Sequence, residues 1–135
     1  MAGYSGTPLP KKLGIKEGGR VALVNAPDGF DATLGSLPEG VVTTRRAGAS
    51  HDVVVLFVKQ RAALEKALPR LEKAIFPAGA IWVAWPKKAS KVPTDITEDT
   101  VRDVCLPRGL VDVKVCAIDD VWSGLKLVWR KELRI

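Results

Sequence analysis

The residues Ile81-Trp82-Val83-Ala84-Trp85 form an unbroken apolar run that stops at Pro86 and is followed by Lys87 and Lys88. A strand with one wet face alternates apolar and polar residues. A run without alternation belongs to a strand covered on both faces, as in a parallel sheet flanked by helices. Arg20-Val21-Ala22-Leu23-Val24 and Asp52-Val53-Val54-Val55-Leu56-Phe57-Val58 read the same way. Three such strands predict an α/β protein with a three-layer Rossmann-like, mostly parallel sheet. Open sheets of this kind bind ligands outside the carboxyl ends of their strands, so the turns after these runs are where function is sought.

The rest of the chain supplies the layers. Leu64, Leu68, Leu71 and Ile75 recur at i, i+4, i+7 and i+11, which predicts a helix facing the sheet. Pro69 inside it removes a backbone donor and predicts a kink or break near Leu68. A short helix is expected over 31–37 and an edge strand over the β-branched residues 41–44. A further helix begins near Asp95 or Thr97. Asp95 with Glu98 has capping-box character, Ile96 with Val101 suits a hydrophobic staple over a Thr97 cap, and the sequence leaves both frames open.

Val111, Val113 and Val115 alternate with Asp112, Lys114 and Cys116, and Leu125, Leu127 and Trp129 alternate with Lys126, Val128 and Arg130. They predict a C-terminal antiparallel hairpin at the sheet's edge, connected by residues 119–124. Residues 1–10, rich in Gly, Pro, Ser and Thr, are expected to form a flexible N-terminal arm, and 11–135 a single α/β domain.

The order of elements is similar to the core of class I S-adenosylmethionine methyltransferases. Leu13-Gly14-Ile15-Lys16-Glu17-Gly18-Gly19-Arg20-Val21 resembles the segment entering that family's first strand, and Phe76-Pro77-Ala78-Gly79-Ala80-Ile81-Trp82-Val83 its turn into the fifth. The resemblance implies a reduced methyltransferase-like core. The chain departs from the family after the first strand, where Asn25-Ala26-Pro27-Asp28-Gly29 replaces a glycine-rich cofactor loop, and no acidic residue closes the second strand. S-adenosylmethionine is therefore not expected to bind in the usual way. Across its whole length the chain resembles a small actinobacterial family of domains of unknown function, through Gly3-Tyr4-Ser5-Gly6-Thr7-Pro8-Leu9, Trp82-Val83-Ala84-Trp85-Pro86-Lys87-Lys88 and Val113-Lys114-Val115-Cys116-Ala117. That family implies a fold and a bacterial origin but no activity.

If the three buried strands are parallel, one edge collects Asn25 and Asp28, Lys59, and Lys87 with Lys88. Lysines there can hold a phosphate or carboxylate as point charges. The first expectation is a non-catalytic binding domain for a small anionic metabolite or nucleotide at that edge. One alternative is a reduced S-adenosylmethionine-dependent methyltransferase-like enzyme. The other is a nucleic-acid-binding protein, suggested by a net charge of +6 and the pairs Lys11-Lys12, Arg45-Arg46, Lys87-Lys88 and Arg130-Lys131.

Two cysteines and one histidine make no metal-binding set, and Ser90, Cys105 and Cys116 have no base nearby in sequence. His51 precedes its strand and reads as a surface residue opposite the cleft. Trp82 and Trp85, three apart on one strand, should face opposite sides and serve as core. Trp122, placed in the hairpin connection, either caps the core or presents a sticky surface. Asp119-Asp120 reads as a hydrated pair. With no signal-peptide core and no apolar stretch near the roughly 20 residues of a membrane helix, a cytoplasmic location is expected.

Overall fold

The computed structural model describes residues 7–134. Six strands form one sheet: β1 (Arg20–Val24), β2 (Val42–Thr44), β3 (Val53–Phe57), β4 (Ala80–Pro86), β5 (Leu110–Ala117) and β6 (Trp122–Trp129). Their order is β2-β1-β3-β4-β6-β5. The first four are mutually parallel, and β6 runs antiparallel to both β4 and β5. The expected architecture, hairpin included, is the one observed.

Alternation along the strands divides the core in two. Val54, Leu56, Ile81, Val83 and Trp85 face α3 (Arg61–Ile75) and α4 (Glu98–Cys105). Val53, Val55, Phe57 and Trp82 face the other way, toward the end of α1 (Leu9–Lys12) and α2 (Phe30–Leu34). β4 is buried at every position, as its unbroken apolar run requires. Trp82 and Trp85 do lie on opposite faces, and the Trp82 indole N–H donates to the Leu13 carbonyl at 3.0 Å.

Several boundaries differ from expectation. α3 runs unbroken through Pro69, because Leu64, Leu68, Leu71 and Ile75 are all buried against the sheet and hold both halves of the helix in line. α4 takes the Thr97 frame. Thr97 accepts from the Thr100 amide, Thr100 returns a bond to the Thr97 amide, and Ile96 and Val101 are both buried. Asp95 caps elsewhere, accepting the first amide of α3 at Arg61 over 2.7 Å.

α1 begins inside the stretch expected as a loose arm and buries Pro10. Tyr4 and the rest of that arm's first six residues lie outside the described residues. His51 is only 5% exposed, not a surface residue: its backbone amide donates to the Ala74 carbonyl, which draws it beneath the end of α3. No helix among the described residues is long and apolar enough to cross a membrane.

Candidate functional site at the carboxyl edge

Chain direction reverses at one place in the sheet. From β1 the chain moves through α2 to β2 on one side; from β3 it moves through α3 to β4 on the other, and α2 and α3 cover opposite faces. The crevice between the β1 and β3 tips is the position where doubly wound sheets hold ligands.

Asn25 ends β1 in a left-handed conformation, φ 59°. Asparagine tolerates that region better than most side chains, so it makes the sharp exit that a glycine would otherwise provide. Gly29, φ 81°, turns the chain again into α2. Three clefts meet at Asn25. One, of about 410 Å³, lies between Pro27, Lys59, Gln60 and the aromatic pair Phe57 and Trp122. A second, of about 490 Å³, is bounded by Asp28, Asp31 and Arg45. The third, of about 690 Å³, runs from Arg45 and Arg46 to α3.

The loop after β3 is held firmly. The Lys59 carbonyl accepts from the Thr94 hydroxyl at 2.6 Å and from the Asp95 amide at 3.2 Å, leaving the lysine side chain exposed beside Gln60. On the α2 side the crevice is packed with aromatic rings. Phe30 meets Phe57 at 4.8 Å and Phe57 meets Trp122 at 5.1 Å, both edge-to-face.

Trp122 is thus a core cap, and it belongs to β6 rather than to the hairpin connection. Asp119 draws the turn tight, its carboxylate accepting from the Val121 amide and the Trp122 amide at 2.8 Å each. Asp119 is therefore a turn residue and not one of a hydrated pair.

Of the residues expected at this edge, Asn25, Asp28 and Lys59 line the clefts that meet there. Lys87 and Lys88 share the edge but line none of these three. β4 continues to Pro86, which pairs with Trp122, and the Lys87 amide then bonds to the Val121 carbonyl, so the chain turns toward the hairpin. Sequence reasoning did not find Lys66 and Arg70, which face Arg45 and Arg46 across the largest of these three clefts. Their spacing, with Ala63 and Ala67, marks a single helix face and was the available signal.

Neither cysteine is a ready nucleophile. Both are buried, and burial pushes the Cys105 thiol up to about 12 and raises that of Cys116. Among the described residues no group of three or more His, Cys, Asp or Glu side chains could hold a metal ion.

No protein-family model and no curated protein sequence matches the chain, so the resemblance to an actinobacterial family gains no support. Solved structures do match. A SAM-dependent methyltransferase from Aquifex aeolicus superposes with a TM-score of 0.64 over 87% of this chain and 85% of its own, at 15% identity. The fibrillarin pre-rRNA processing protein of Methanococcus jannaschii gives 0.62 over 93% and 70%, at 11% identity. DhpI, solved as a complex with SAH, gives 0.59 over 92% and 83%, at 10% identity. The chain has a class I methyltransferase-like Rossmann fold. At these identities the likeness establishes the fold alone.

Proposed function

We propose that this protein binds a nucleoside-bearing small molecule between the β1 and β3 tips, and that S-adenosylmethionine or S-adenosylhomocysteine is that molecule. The observation that carries the reading is Asn25. It stands at the reversal point of a methyltransferase-like sheet, in a left-handed turn, with clefts on both sides of it. The residues there fit the charges of the ligand. Asp28 suits its ammonium group or sugar hydroxyls, Lys59 its carboxylate, and the Phe57–Trp122 wall an apolar ring.

They do not reproduce the usual cradle. Pro27 has no amide to donate, and the second strand, which ends at Thr44, is followed by Arg45, which bonds to Asp31 at 2.8 Å, instead of by a free carboxylate. The expectation against S-adenosylmethionine therefore narrows to the usual binding mode, while a nucleoside ligand held by Asn25, Asp28 and Lys59 remains the reading the fold supports. Under it the chain is a reduced methyltransferase-like protein.

A second reading, a non-catalytic domain for an anionic metabolite or nucleotide, is favoured by the cations Lys59 and Arg45 at the same rim. Calorimetric titration with S-adenosylmethionine, S-adenosylhomocysteine, AMP and ATP separates the two. The variant pairs Asn25→Gly, which keeps the left-handed turn and removes the amide, with Lys59→Ala. Saturable binding of either adenosyl compound, weakened at least about tenfold (~1.4 kcal/mol) in the variant, is the expected result. Absence of heat from both at millimolar concentration overturns the first reading, and binding of AMP or ATP alone, weakened in the same variant, establishes the second.

A further inference from the structure

The largest of the three clefts has a character of its own. Its rim carries Arg45 and Arg46 from the loop after β2, and Lys66 and Arg70 from α3. No carboxylate lines it. Its floor is apolar, from Val24, Ala47 and Leu71. Ala63 and Ala67 stand on the same helix face as Lys66 and Arg70, and their small side chains leave the groove open between the cations.

Elsewhere on the helices, arginines are matched with acids. Arg61 pairs with Glu65, Arg102 with Glu98, Asp99 and Asp112, and Arg108 with Glu72. Of the four cations on the groove only Arg45 has a carboxylate partner among the described residues, the exposed Asp31. Lys66 and Arg70, four residues apart, repel one another along the helix. Four like charges gathered over one open cleft, in a chain that pairs its other helical arginines, are stabilised when an anion joins them.

We infer that this groove is a second site, adjoining the β1–β3 crevice at Asn25, which binds the phosphates of a polyphosphate-bearing ligand. Arg46 and Arg70, which have no carboxylate partner among the described residues, supply planar, bidentate donors matched to phosphate oxygens, and Lys66 adds a mobile point charge. The face from Ala63 to Arg70 spans about 10 Å of helix, room for more than one phosphate. The phosphates can come from a polynucleotide backbone or from a free polyphosphate chain.

The test uses the full chain at 150 mM salt with two probes: a labelled single-stranded RNA 12-mer followed by fluorescence anisotropy, and tripolyphosphate followed by calorimetry. The groove variant is Lys66→Ala with Arg70→Ala. A control, Lys16→Ala with Lys131→Ala, removes the same net charge from exposed positions elsewhere. Melting curves are recorded to check that both variants fold.

Binding of at least one probe, weakened about tenfold or more by the groove variant and less than about twofold by the control, is the expected result. RNA binding, with the salt slope reduced by roughly 1.4 in the groove variant, assigns the polynucleotide source. Tripolyphosphate binding without RNA binding assigns the free chain. No binding of either probe, or equal losses in both variants, overturns the site. Neither variant alters Asn25, Asp28 or Lys59, so failure here leaves the adenosyl titration unaffected, and absence of adenosyl binding to the unaltered chain leaves the Lys66 and Arg70 test unaffected.

Discussion

Replacing Trp122 with alanine tests whether the carboxyl edge is built on a packed aromatic plug. Trp122 is 8% exposed and stands edge-to-face against Phe57, which in turn meets Phe30. A buried tryptophan removes about 200 Å² from water, which at about 25 cal/mol per Å² is about 5 kcal/mol. Residual burial in the unfolded chain lowers this to about 3–4 kcal/mol, and the lost ring contact adds about 1 kcal/mol. Trp122→Ala should therefore destabilise the protein by about 4 kcal/mol, within the range found for large-to-small core changes.

In urea, with a slope of about 2 kcal/mol per molar, the midpoint falls by about 2 M. Trp122→Phe, which keeps a ring against Phe57, should lose well under half as much. A loss below about 1 kcal/mol for the alanine variant refutes the reasoning, because Trp122 would then be a surface plate and the crevice wall would not exist as described.

Gly79→Ala should cost about 2–3 kcal/mol by chemical denaturation, since an added methyl would press on the carbonyl oxygens of His51, Ile75 and Asp52, all fixed backbone. Stability should also depend on pH through His51, the chain's single histidine. Burial, and then the nearby Arg20 charge, lower its pKa below the usual 6.5, with Asp52 opposing. The unfolded chain then binds the proton more readily, so stability is full above about pH 6.5. It falls as the pH drops below that value, by at most about 1.4 kcal/mol per unit. His51→Gln should flatten the slope between about pH 6.5 and 5, and an unchanged slope in that variant contradicts the assignment.

The parts of this fold that were legible in the sequence are those where burial leaves a local trace. β4 reads as a two-face buried strand because all of its residues from Ala80 to Pro86 are buried, and α3 reads as a helix because its leucines share one stripe. Pro69 misled because packing of that stripe outweighs one missing backbone bond.

His51 misled because its burial depends on a contact with α3, more than twenty residues further along the chain. Trp122 looked like a loop residue because the Asp119 carboxylate, by bonding two successive amides, shortens the turn and starts β6 early. Of the edge residues, Asn25 and Lys59 were legible as strand tips. The Arg45, Arg46, Lys66 and Arg70 groove was not, since it exists only once the loop after β2 lies beside α3.

The most direct test of the ligand site is amide-resolved NMR during titration with S-adenosylhomocysteine. The account predicts saturable shifts gathered at Asn25, Asp28, Lys59 and Gln60. Shifts gathered instead at the cleft on the opposite edge, around Gly14, Gly18, Asp52 and Lys126, would contradict it, as would a spectrum that does not change.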